Sequence, residues 1–149
     1  MPKYFQGRYK PDNPSKYKGD PTQIEYRSRW EFLVMSMLDS HKDVLEWGSE
    51  TVIIPYKSPI DNRKHRYFVD FYVKKKNYSD GKIEKLLIEV KPKAQTVPPK
   101  VKSGKKPSKR YLNEVRTWGV NSAKWEAANN YCKERGYRFV IFTEDDIGI

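Results

Sequence analysis

The sequence predicts an α/β fold in which helices pack on a mixed β-sheet, in the order helix, three antiparallel strands, helix, strand. Three observations lead there. An early segment repeats its apolar residues at helical spacing behind good start signals. Two strand-like stretches then flank a tight Asp80-Gly81 turn, which makes them a hairpin. Finally, "YRFVIFT" follows a long helical segment, and a strand that returns after a helix can pair parallel to an earlier one.

Taken in chain order, residues 1–20, "MPKYFQGRYKPDNPSKYKGD", mix Pro, Gly, Tyr and Lys without a period and read as an extended basic arm. Tyr4, Tyr9 and Tyr17 among lysines and arginines suit nucleic-acid phosphates and bases. The alternative is a solvated tail whose tyrosines pack on the body. "DPTQIEYRSRWEFLVMSMLDSH" predicts a helix capped by Asp20, with Pro21 at its first position. At 100° per residue, Ile24, Ser28, Glu31, Met35 and Leu38 form one stripe, flanked by Phe32 and Val34, so mid-helix Glu31 should look inward. Strands are expected at Thr51–Tyr56, at His65–Val73 and over "IEKLLIEVK". In the middle one, Tyr67, Val69, Phe71 and Val73 would share one face, with Phe68, Asp70 and Tyr72 on the other. Residues 92–110 carry seven basic residues and three prolines after Pro92, and predict a long basic loop. Two helical segments should follow, broken near Gly119. Asn121 or Ser122 would cap the second and Gly136 would end it. Trp118 and Trp125 read as helix-packing residues.

With 149 residues, 37% of them hydrophobic, the chain suits one domain spanning residues 1–149. The net charge of +11 makes a polyanion, nucleic acid first, the expected partner. The lone cysteine, Cys132, excludes an intrachain disulfide and fits a reducing compartment. No apolar signal segment opens the chain, and "FLVMSML" is too short to cross a membrane. A soluble intracellular protein is the expectation.

The chemistry concentrates in acids set among apolar residues. Asp70 interrupts an apolar strand, Glu89 ends the next one, and Lys91 follows two residues later on the same face of "LLIEVKPK". Asp70 and Glu89, on neighbouring strands, can lie close together. Converging carboxylates repel and raise one another's pKa, and a divalent cation relieves the conflict. Such a cation would hold a phosphate and acidify bound water, with Lys91 orienting or deprotonating that water or stabilising the phosphorane charge. Taken singly, each residue has a plainer explanation. Glu-x-Lys on a strand is commonly a surface pair, Asp70 could be a hydrogen-bonded core acid, and Glu31 could pair with Arg27. His65 reads as a DNA contact or structural residue, and Gln95 as a phosphate contact or a solvated loop side chain.

The conjunction of "FVDF", "IEVK" and "YRSRWE" resembles the PD-(D/E)XK nuclease superfamily, with its restriction-endonuclease-like fold. Val69 stands where that pattern commonly has proline. The resemblance implies a catalytic set of Glu31, Asp70, Glu89 and Lys91. It implies Mg²⁺ or Mn²⁺ held by Asp70, Glu89, Glu31 and the carbonyl of Val90. It also implies cleavage of DNA to 5′-phosphate and 3′-hydroxyl ends. "RSRWE … IEVKP … KWEAANNYCKERGYRFVIFTEDD" looks like the branch containing the endonuclease subunit of some heteromeric transposases. "GRYKPDNPSKYKGDPTQIEYRSRWE", "QTVPPK" and "NEVRTWGVNSAKWEAANNYC" resemble the head completion nucleases of T-even-type bacteriophages. That implies action on packaged phage DNA as heads are completed and joined to tails. Other head and neck proteins would be partners, and the place would be the infected host's cytoplasm or the virion. Lys100, Lys102, Lys105, Lys106, Lys109 and Arg110 are the expected DNA-backbone contacts of the basic loop, with His65 and Gln95 beside them. Two further readings remain open: a DNA-binding neck protein without catalysis, and a nuclease of branched DNA.

Overall fold

The computed structural model describes residues 5–100, 104 and 106–149; the expected contacts at Tyr4, Lys102 and Lys105 lie outside them. The order is β1 (Gly7–Arg8), a 3-10 turn (Pro14–Lys16), β2 (Glu25–Tyr26), α1 (Arg29–Ser40), β3 (Val44–Ser49), β4 (Ile53–Lys57), β5 (Lys64–Phe68), β6 (Phe71–Lys76), β7 (Ile83–Val90), a 3-10 turn (Lys93–Thr96), α2 (Lys109–Arg135), β8 (Arg138–Phe142) and α3 (Glu144–Ile147). The main sheet runs β3-β6-β7-β8, antiparallel except for the parallel β7–β8 pair. It is the expected mixed α/β sheet flanked by helices.

The early helix starts later than its stripe predicts. Ser28 is the N-cap and accepts from the Glu31 N–H (3.1 Å). Asp20 instead closes a turn on the Thr22 N–H and hydroxyl (2.9 and 2.6 Å). The backbone of residues 24–26 is taken by the arm: Tyr9 N–H donates to the Ile24 carbonyl (2.7 Å), and Gly7 and Arg8 pair with Tyr26 and Glu25. Glu31 therefore sits in the first turn of α1 rather than mid-helix.

The arm lies on the body. Tyr9 is buried and Tyr17 packs edge-on against Trp47 (4.7 Å). Buried Asp39 anchors it, accepting from Tyr9 Oη (3.2 Å), Asp12 N–H (2.8 Å) and Asn13 N–H (3.1 Å). Of the two alternatives for the arm, packed tyrosines is the one found.

Strand β3 was not anticipated, because a register shift between Val44 and Glu46 breaks its alternation. Conversely, the first expected strand lies outside the main sheet: β4 pairs with β5 in a separate hairpin. The middle strand is two. Val69 N–H still reaches the Val52 carbonyl (3.1 Å), whereas Phe71 pairs with Ser49 and Ile88 in the main sheet. The chain changes partners at Val69–Asp70, and the faces change with it. Tyr67, Val69 and Tyr72 pack together on the α2 side with Leu87, Ala128 and Cys132. Phe71 and Val73 point to the α1 side with Trp47, Met35 and Ile88.

The late helix is continuous. Ser108 caps α2 through Tyr111 N–H (3.0 Å) and Gly136, at φ 71°, ends it. Gly119 lies inside, where an added Cβ would meet only Pro59 Cγ at 3.5 Å. Glycine costs a helix about 1 kcal/mol, which a helix of 27 residues packed on a sheet absorbs. Lys109 and Arg110 are thus helical, and the expected basic loop ends at Ser108. No helix among the described residues is long and apolar enough to cross a membrane.

Candidate active site

One end of the main sheet collects the acids. Glu89 is the penultimate residue of β7, and Asp70 occupies the corner before β6, opposite it. The corner is fixed by backbone: Asp70 carbonyl accepts from Glu50 N–H (3.0 Å), while its carboxylate Oδ2 accepts from Val90 N–H (2.8 Å). In an extended residue the N–H and C=O point the same way, so the Val90 carbonyl faces the Asp70 side too. Asp70 belongs to this corner, not to a mid-strand face shared with Phe68 and Tyr72.

Glu89 lies on the α2 face of β7, alternating with core residues Ile88 and Val90, and is buried. Its Oε2 accepts from the buried Tyr67 hydroxyl. Its Oε1 lies 3.6 Å from Lys91 Nζ, which is one quarter exposed. The Glu89 carboxyl is pushed up by burial, against the opposing pull of Tyr67, Lys91 and Lys124. The Asp70 carboxyl is pushed up to about 8, by burial first and by Glu89 second. The Tyr67 hydroxyl is raised by burial and by the adjacent Glu89. These are two acids held uncomfortably close, the condition that a divalent cation relieves.

Glu31 does not join them as a third close carboxylate. Its oxygens accept from Arg27 N–H and Ser28 Oγ (3.3 Å each), a capping arrangement. Its field nonetheless contributes to raising Asp70, after burial and Glu89. The suggested Glu31–Arg27 ion pair is absent among the described residues, since the Arg27 guanidinium goes to Glu50 (2.7 Å). Among the described residues no three His, Cys, Asp or Glu side chains gather as a metal-holding group. Two carboxylates with a backbone carbonyl still make a set of hard oxygen donors. Mg²⁺ needs no more than one or two carboxylates, completing its shell with water and substrate. The donors therefore fit such an ion.

His65 stands apart on the β4–β5 hairpin, paired with Asp61 (2.7 Å) and tilted over Tyr56. Gln95 is exposed in the second 3-10 turn and lines a cleft of about 770 Å³ against α2, together with Val97, Arg110, Trp118 and Asn121. Lys100, Lys106, Lys109 and Arg110 are exposed. Trp125 is buried and meets half-buried Trp118 edge-on (5.9 Å).

Sequence reasoning missed Tyr67, because a regular strand would turn it away from Asp70. It also missed Lys124, whose ammonium lies over the rings of Tyr67 (5.5 Å) and Tyr56 (5.8 Å). The signal was present: Lys124 lies one turn before Ala128 on the stripe that continues to Cys132, a cation on an apolar face.

Comparison with known proteins shows the family. Residues 41–144, which contain Asp70, Glu89 and Lys91, match the family described as TnsA-like endonuclease N terminal. The chain is also 42% identical over 146 residues to the head completion nuclease of Enterobacteria phage T4, covering 96% of this chain and 93% of that protein. The chain belongs to the TnsA-like endonuclease family.

Proposed function

We propose that the chain is a metal-dependent deoxyribonuclease acting on packaged phage DNA during head completion and head–tail joining. The observation that carries the chemistry is the corner at Val69–Asp70. It sets a raised Asp70 carboxyl against the raised Glu89 carboxyl, with Lys91 at 3.6 Å from Glu89. The setting rests on the similarity to the T4 protein.

Asp70, Glu89 and the Val90 carbonyl would hold Mg²⁺ or Mn²⁺, which when bound neutralises phosphate charge and acidifies water. Glu31 adds negative potential at the same end of the sheet. Tyr67 fixes one Glu89 oxygen by hydrogen bonding, leaving the other toward Lys91. Lys91 aligns the attacking water with the phosphorus and accepts its proton or stabilises the charge that develops on the phosphoryl oxygens. Lys100, Lys102, Lys105, Lys106, Lys109 and Arg110 supply backbone contacts, with other head and neck proteins as partners.

The test is supercoiled plasmid with the purified chain, in Mg²⁺ or in EDTA. Nicking should require Mg²⁺ and vanish in Asp70→Asn and Glu89→Gln. Lys91→Ala should bind DNA but not turn over. Nicking that persists in EDTA refutes metal dependence, and DNA binding by the parent without any nicking supports the neck-protein alternative.

A further inference from the structure

Helix α2 brings two polar groups to the mouth of the site without giving either a protein partner. Lys124 is half-buried between the rings of Tyr67 and Tyr56. Its charge reaches Glu89, yet the ion pair of Glu89 goes to Lys91, and Lys124 forms none among the described residues. Asn121, one turn earlier on the same face, is only 6% exposed. Its amide makes no side-chain hydrogen bond among the described residues and lines the cleft against Gln95, Trp118 and Arg110.

A half-buried ammonium favours an anion, and a largely buried amide that opens on a cleft is free to bond a ligand there. Aromatic faces attract the ammonium but carry no net charge to neutralise it. Their backbone positions are three residues apart, a rise of about 4.5 Å along α2, so both side chains are offered to one stretch of an anionic chain. The cleft runs from Asn121 along α2 to the exposed Arg110, and the charge of Lys124 also reaches Glu89. The ligand is therefore an anion repeated along a chain that also enters the catalytic corner.

We propose that Lys124 and Asn121 grip a backbone phosphate of the DNA strand, next to the one at Asp70 and Glu89. The strand leads from there into the cleft between α2 and the turn at Lys93–Thr96. This rests on the nuclease reading of Asp70, Glu89 and Lys91, and deepens it by assigning the strand's path.

Binding and cleavage are read separately. Binding of a short DNA duplex is followed by fluorescence anisotropy across a salt series in EDTA, with Asp70→Asn as the non-cleaving parent. Adding Lys124→Met, which preserves length and packing, should weaken binding about tenfold and lower the log–log salt slope by about 0.9, one phosphate contact. Lys124→Arg should keep the slope, because charge is what is needed. Asn121→Ala should weaken binding with the slope intact. Lys124→Gln serves as the second neutral variant if Met perturbs folding. An unchanged slope and affinity in folded Lys124→Met or Lys124→Gln overturns the proposal and leaves Lys124 a structural partner of Glu89. Failure of the otherwise unaltered chain to nick plasmid in Mg²⁺ would instead overturn the nuclease reading, and the slope would still decide the phosphate contact.

Discussion

At the residue scale, the chemistry turns on how Asp70 and Glu89 are held. Burial and then Glu89 keep the Asp70 carboxyl near 8 rather than its ordinary 3.8. A folded-state pKa above the unfolded one means that the folded chain keeps a proton the unfolded chain has released. Stability is therefore lost as pH rises between about 4 and 8. In metal-free buffer the parent should melt several degrees lower at about pH 8 than at about pH 5, each unit of upward shift costing about 1.4 kcal/mol. Asp70→Asn should flatten that dependence while abolishing nicking. Thermal melts across pH, run beside a plasmid assay, check both. Tyr67→Phe removes a hydroxyl that donates to buried Glu89. It should cost about 1–3 kcal/mol where Glu89 is ionised, seen in denaturant titration, and should raise the Mg²⁺ concentration for half-maximal nicking.

The arm at the N-terminus is the element least expected to be ordered, and a single buried side chain orders it. Asp39, at the end of α1, accepts from a hydroxyl and two backbone N–H groups of the arm. Its own carbonyl accepts from Asn13 Nδ2 (3.0 Å) and Lys16 Nζ (2.8 Å). Asp39→Ala leaves the Tyr9 hydroxyl and the Asp12 and Asn13 N–H groups without their acceptor and should cost on the order of 3 kcal/mol. Limited proteolysis should then cut near Asp12–Lys16 before the rest of the chain unfolds. Protection equal to the parent's would mean that Tyr9, Tyr17 and Trp47 hold the arm without Asp39.

Across the whole molecule, positive charge is in excess by 11, yet Asp70 and Glu89 lie together at one end of the sheet. Cations beyond that end would guide a polyanion toward an otherwise repelling centre. Replacing the exposed Lys100, Lys106, Lys109 and Arg110 with Ser should flatten the salt dependence of DNA binding by about 2–3 units. Sequence preference should not change, because backbone contacts carry no base information. An unchanged slope would move the DNA path away from the α2 cleft.

The sequence by itself determined the α/β class, the β6–β7 hairpin with its Asp80-Gly81 turn, the end of α2 at Gly136, and the pairing of Asp70 with Glu89 and Lys91. These are written in local period, turn chemistry and short spacing, which a linear reading can follow. It misplaced the start of α1, because the hydrogen bonds that draw Ile24–Tyr26 out of a helix come from the arm, fifteen or so residues away. It missed β3, whose bulge hides the alternation, and split α2 at Gly119, where packing on the sheet outweighs one glycine. Only the tertiary structure put Tyr67 on Glu89, because the change of sheet at Val69–Asp70 reverses which residues face α2. Only the tertiary structure brought Lys124 and Asn121 to the same place. Their roles depend on a helix that packs against the sheet some thirty residues after the motif it serves, and no local spacing encodes that packing.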